Sequence, residues 1–162
     1  MKNFKYWSMM MLMVMALPLM VACSGDDGGG DPSQTYADKL PGTWTFTEIN
    51  AQYGTSIASG WTPIVGNIVL QINKNGSCSL SGTGSYEFQY GDNYMIDISL
   101  GNYKTWNVGT TNENGFDCII WLYYKNDKGE ETFDPYFLKF NSNNEIVLRQ
   151  PMGLTYEYKL RR

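Results

Sequence analysis

From residue 36 to the end of the chain, apolar side chains recur at every second position in short runs, and no long stretch carries the 3.6-residue period of an amphipathic helix. Trp44 and Phe46 alternate with threonines, with Glu48 next on the same face; Ile68, Leu70 and Ile72 follow, then Tyr86, Phe88 and Tyr90. Tyr94, Ile96, Ile98 and Leu100 continue the pattern, and Leu154, Tyr156, Tyr158 and Leu160 close it. Turn-forming residues separate the runs, including Asn75-Gly76 and Gly91-Asp92-Asn93. The pattern predicts an all-β fold of about eight to ten strands in hairpin-compatible order. A small antiparallel barrel satisfies it and leaves no unpaired edge; a two-sheet β-sandwich is the runner-up. Residues 116–125 form the most apolar run and are expected as a central strand, and Pro135 should lie at an edge, bulge or break.

The first 35 residues follow other rules. Lys2 and Lys5 precede an apolar run over 9–22 that is shorter than the roughly 20 residues of a spanning helix, and a small residue stands just before Cys23. Residues 1–22 therefore read as an export signal, the alternative being a short anchor that is never cleaved. Residues 24–35 hold four glycines, a proline, three acids and no large apolar side chain, a composition expected to form a flexible tether. The division is 1–22 leader, 23–35 linker and 36–162 a single folded domain. Loss of the leader removes two lysines and no acids, so a formal charge of −4 becomes −6. An acidic chain whose basic residues mostly stand singly is a poor partner for nucleic acid.

Met20-Val21-Ala22-Cys23 resembles the lipobox of bacterial lipoproteins, with methionine in place of the usual leucine. The resemblance implies that Cys23 becomes the acylated N-terminus, carrying chains of palmitate type, and that the protein is held at the membrane by lipid. The acidic Ser24-Gly25-Asp26-Asp27 stretch is similar to the surface-export signals of Bacteroidota lipoproteins. That implies the outer membrane and the cell surface, with a spacer facing the periplasm as the alternative. Leu40-Pro41-Gly42-Thr43-Trp44 resembles the G-x-W start of lipocalins and bacterial lipocalin-like domains, and residues 68–77 and 136–148 look like later strands and turns of such domains. This likeness implies a lipocalin-like β-barrel with Trp44 packed across one end. It also implies a basic side chain from the last strands over that indole, for which Arg149, Lys159 and Arg161 are candidates.

The chain has no histidine, which removes Ser-His-acid and Cys-His catalysis and every histidine-containing zinc site. Asp92 with Asp97, and Glu130, Glu131 and Asp134, are the carboxylates from which a glycosidase-like pair would be drawn, yet solvated turns and strand faces account for them more simply. The asparagine-rich turns at 73–77 and 126–131 do not complete a calcium loop, and Asn75-Gly76-Ser77 formally matches a glycosylation acceptor. The expectation is a protein that is not an enzyme and needs neither cofactor nor metal. Cys78 and Cys118 would be left in an oxidising compartment, either as a disulfide or as buried thiols.

Recognition is then the expected chemistry. Of 24 aromatic residues only three lie in the leader. Tyr86, Phe88 and Tyr90, with Trp121 and Tyr123, are candidates to line a barrel pocket for a small apolar or aromatic ligand. Trp61, Trp106 and Tyr124 are candidates for an outer surface that contacts an envelope protein or glycan, the barrel core then being filled.

Overall fold

A computed structural model of the chain describes residues 32–53, 56–57, 60–88, 92–96, 103–151 and 155–162. A short helix, α1 (Pro32–Lys39), precedes eleven strands: β1 (Gly42–Tyr53), β2 (Ser56–Ile57), β3 (Thr62–Pro63), β4 (Val65–Ile72), β5 (Cys78–Phe88), β6 (Asp92–Met95), β7 (Thr105–Gly109), β8 (Cys118–Lys125), β9 (Glu131–Ser142), β10 (Glu145–Arg149) and β11 (Thr155–Arg161). The helix takes in residues 32–35, which the composition assigned to the tether. Tyr36 stacks on Phe140, and the Leu40 N–H donates to the Tyr36 carbonyl, so the helix closes against the sheet rather than trailing from it.

All strands belong to one antiparallel sheet, in the order β6-β5-β4-β1-β11-β10-β9-β8-β7, with β2 and β3 paired to β1 off this path. The architecture is that of two meanders, β4–β6 and β7–β11, joined through β1. The expected barrel is not formed. The path has two ends, β6 and β7, which do not pair with each other along their length. The sheet curls far enough that Ser77 and Thr105 make an isolated antiparallel bridge, where the Cys78 N–H donates to Lys104 O and the Trp106 N–H to Gly76 O, each at 3.0 Å. One point of contact does not close a ladder, and alternation along each strand is equally satisfied by an open sheet with one covered face. A single continuous sheet also replaces the sandwich.

The inner face carries the core: Trp44, Phe46, Ile49, Ile68, Leu70, Ile72, Ile120, Leu122, Leu138, Ile146, Leu148 and Leu160 are buried together. In β1 the register shifts between Phe46 and Glu48, so Ile49 faces inward and Glu48 meets Lys159 outside. That bulge breaks the strict alternation that placed Glu48 beside Trp44 and Phe46. Residues 118–125 lie one strand in from the β7 edge, not at the centre. Pro135 sits in the part of β9 beyond Phe137, the last β9 residue paired to β10 at that end, so its missing donor is absorbed where only β8 is a neighbour.

Trp44 is fully buried, and its indole N–H donates to Leu40 O at 2.8 Å. The Arg162 guanidinium lies 4.2 Å from the ring centroid and donates to the carbonyls of Lys39 and Pro41. The basic cover is thus Arg162, and none of Arg149, Lys159 or Arg161. A Cβ at Gly42 would come within 3.2 Å of the Arg162 side chain, so glycine at this position leaves room for the guanidinium over the ring.

Candidate functional site

On the inner face, polar groups meet at Asp134. Tyr103, buried in the approach to β7, donates its hydroxyl to Asp134 Oδ2 at 2.6 Å, and Tyr124 and Tyr136 lie near enough to this pair to interact with it. Burial pushes the Tyr103 phenol far above its ordinary range, with Tyr136 and Asp134 adding to it. Burial also lifts Tyr136, to about 12, against the opposing hydrogen bond from Tyr103. Asp134 thus serves to hold the β7 approach against β8 and β9, a network whose members satisfy one another. Its supposed carboxylate companions are elsewhere: Glu130 accepts from Asn126 in an exposed turn and Glu131 is exposed. Asp97 lies outside the described residues, as does the side chain of Asp92.

The two domain cysteines are buried free thiols, not a disulfide. Burial raises Cys78 to about 11, and burial with the neighbouring Asp117 raises Cys118 to about 12. Because these thiols and Tyr136 hold their protons more tightly folded than unfolded, their contribution is fully present below the unfolded values near 9 and 10. It is lost as pH rises through 11–12. Urea midpoints are therefore expected to fall progressively between pH 9 and 12, with tyrosinate absorbance in the native protein lagging behind that of the urea-unfolded chain. A midpoint that stays level across this range would contradict the assignment.

The aromatics expected to line a pocket divide between the two faces. Tyr86 is buried on the inner face and stacks with Tyr94. Trp121 and Tyr123 alternate with the buried Ile120 and Leu122 and so face outward; the Trp121 ring lies where a Cβ on Gly109 would come to 2.6 Å, and Tyr123 packs against Phe133. Phe88 ends β5 opposite Asp92, its side chain outside the described residues together with Tyr90 and Cys23. Of the candidates for outer contact, Trp106 and Tyr124 pack against the core instead, Trp106 donating to Asn73 O at 3.0 Å. Trp61 alone of these three stands on the outer face, its ring under the Lys159 ammonium at 4.3 Å.

Trp61, Gly115 and Phe116 line an open groove of about 380 Å³ together with Lys139, Asn141, Glu145, Val147, Glu157 and Lys159. Strand register builds the floor. Lys139, Val147 and Lys159 are lateral partners across β9, β10 and β11, and Glu48 on β1 extends the row. Phe137, Arg149 and Glu157 form the row beside it. Two connections fold back over this floor: the one before β3 brings Trp61, and the one between β7 and β8 brings Phe116. The second is pinned by Arg149, which lies 4.2 Å from the Phe116 ring and 5.3 Å from the Phe137 ring and pairs with Glu113. Lys159 pairs with Glu48 at 2.7 Å, Arg161 bridges Glu48 and Glu145, Asn141 donates to Glu145 at 2.9 Å, and Asn50 donates to Glu157 at 3.3 Å.

Against known proteins, no family model matches the chain and no curated protein is significantly similar to it. The groove is open, polar and mixed in charge, lined by the rings of Trp61 and Phe116, each carrying a cation over one face, with Val147 as the apolar side chain of the floor. A small apolar ligand enclosed in a barrel pocket is ruled out by the fold, since no closed barrel exists to enclose it. Sequence reading singled out Trp61 for an outer contact and Lys159 as a cation over an indole, though over Trp44; the other lining residues escaped it, although alternation in β9–β11 does point Lys139, Asn141, Glu145, Glu157 and Lys159 the same way.

Proposed function

We propose that the protein is a membrane-tethered recognition module that takes a saccharide in the open groove between Trp61 and Phe116. The observation that carries this reading is the pairing of flat rings with a floor of ammonium, carboxylate and amide groups. A sugar ring offers a C–H face for an indole and hydroxyls that both donate and accept, which a floor of Lys, Glu and Asn can meet in either sense. A protein partner would want a dry apolar centre, and Val147 is the sole apolar residue of the floor. The groove volume is at the small end of the roughly 300–1,000 Å³ of small-ligand sites. The lipobox-like Met20-Val21-Ala22-Cys23 supports attachment through acylated Cys23 and display from the outer membrane on the acidic tether; no helix among the described residues is long and apolar enough to cross a membrane.

Calorimetric titration with a panel of neutral and acidic oligosaccharides tests this. Trp61→Ala is expected to weaken binding by at least about tenfold, as loss of an aromatic anchor does. Failure of every oligosaccharide to titrate, or affinity indifferent to Trp61→Ala, would reject the proposal.

A further inference from the structure

We infer that the groove selects an anionic saccharide, one bearing a carboxylate, and that Lys139 is the group that reads the charge. The inference rests on the groove being the saccharide site and sharpens it. Four charged side chains line the groove, and three are turned to partners. Lys159 is held by Glu48 and covered by Trp61; Glu145 is held by Arg161 and Asn141; Glu157 accepts from Asn50. Beyond the lining, Arg149 is matched by Glu113 and Arg161 by Glu48 and Glu145. Lys139 is exposed on β9 and has no hydrogen bond or ion pair among the described residues.

A neutral sugar can offer that ammonium only a hydroxyl oxygen, whereas a carboxylate would gain a stronger, charge-assisted hydrogen bond. The other lining charges, Lys159, Glu145 and Glu157, sum to −1, but Glu145 is held by Arg161 and Glu157 by the Asn50 amide, which leaves Lys139 as the lining cation open to an anion. Lys139 also sits two strands from Lys159, about 10 Å away at ordinary strand spacing, with Val147 between them. A sugar ring resting over Val147 can therefore direct its carboxylate to Lys139 without displacing the Glu48 that already occupies Lys159.

The test compares trigalacturonate with its fully methyl-esterified form, which keeps the ring skeleton and removes the charge, by calorimetry on the full chain. The acid is expected to bind about tenfold more tightly than the ester, the scale of one charge-assisted hydrogen bond. Lys139→Gln should abolish that difference. The acid's advantage should also shrink as salt is raised. Equal binding of acid and ester, still sensitive to Trp61→Ala, would overturn the charge selection and leave saccharide binding standing. A preference that survives Lys139→Gln would overturn the role of Lys139. If neither trimer titrates, this inference falls, and the wider oligosaccharide panel decides separately whether saccharide binding falls with it.

Discussion

Trp44→Ala is expected to destabilise the folded protein by about 3–5 kcal/mol, the range for removing a fully buried large aromatic side chain. Several contacts fail at once. The indole fills the end of the core beside Leu40, donates to the Leu40 carbonyl, and supports the guanidinium of Arg162. Arg162 in turn ties the last residue of the described chain to the turn between α1 and β1 through Lys39 and Pro41. Because β1 and β11 are adjacent, ladder-paired strands, this corner reinforces one end of the seam where the two meanders join. The measurement is the urea midpoint of Trp44→Ala, Arg162→Ala and the double variant. Coupling between the two positions should be about 0.5–1 kcal/mol for the cation over the ring. A destabilisation by Trp44→Ala below about 1 kcal/mol would show that the corner is not a structural lock.

Periodicity made the strands legible because a side-chain period of two is a local property of the backbone. Closure is not local. Whether β6 and β7 pair depends on curl and on how the residues between them run, and neither leaves a mark in the alternation of Tyr86 or Trp106. Facing is similarly relative: Trp121 and Tyr123 alternate cleanly, but only the burial of Ile120 and Leu122 tells which set is inside. The bulge at Phe46 and Glu48 shows the cost of carrying alternation through a strand unchecked, since one added residue sends a carboxylate outward and an isoleucine inward.

The groove was less legible still. Its floor depends on lateral register, which sets Lys139, Val147 and Lys159 in one row although they lie on three strands. Its walls depend on two loops folding outward, and the contact that pins one of them joins Arg149 to Glu113 across 36 residues. Arg149 illustrates the limit well. A basic residue near the chain end is a reasonable cover for Trp44 by composition, yet β10 presents it to the outer face, where Phe116 and Phe137 take its guanidinium.

Gly82→Ala is expected to be as damaging as loss of Trp44, at about 3–5 kcal/mol from combined backbone strain and overpacking. Residues 81–84, Ser-Gly-Thr-Gly, look like a loop between two strands, yet β5 runs through them without a break from Cys78 to Phe88. The glycines are what allow it. Gly82 has φ of +96°, and a Cβ there would lie 1.7 Å from the carbonyl oxygen of Asn67 on β4, a backbone atom that cannot swing aside. The β4–β5 ladder must open to admit a methyl group, and Ile68, which pairs with Gly82 and is buried in the core, moves with it. Gly76→Ala supplies the control. Gly76 also has positive φ, +82°, but nothing lies within 4 Å of its Cβ position, so its substitution should cost only about 1 kcal/mol from the backbone preference. Urea unfolding of both variants separates the two effects. If Gly82→Ala costs no more than Gly76→Ala, then close approach of the strands is not the reason for glycine at 82, and the continuity of β5 needs another cause.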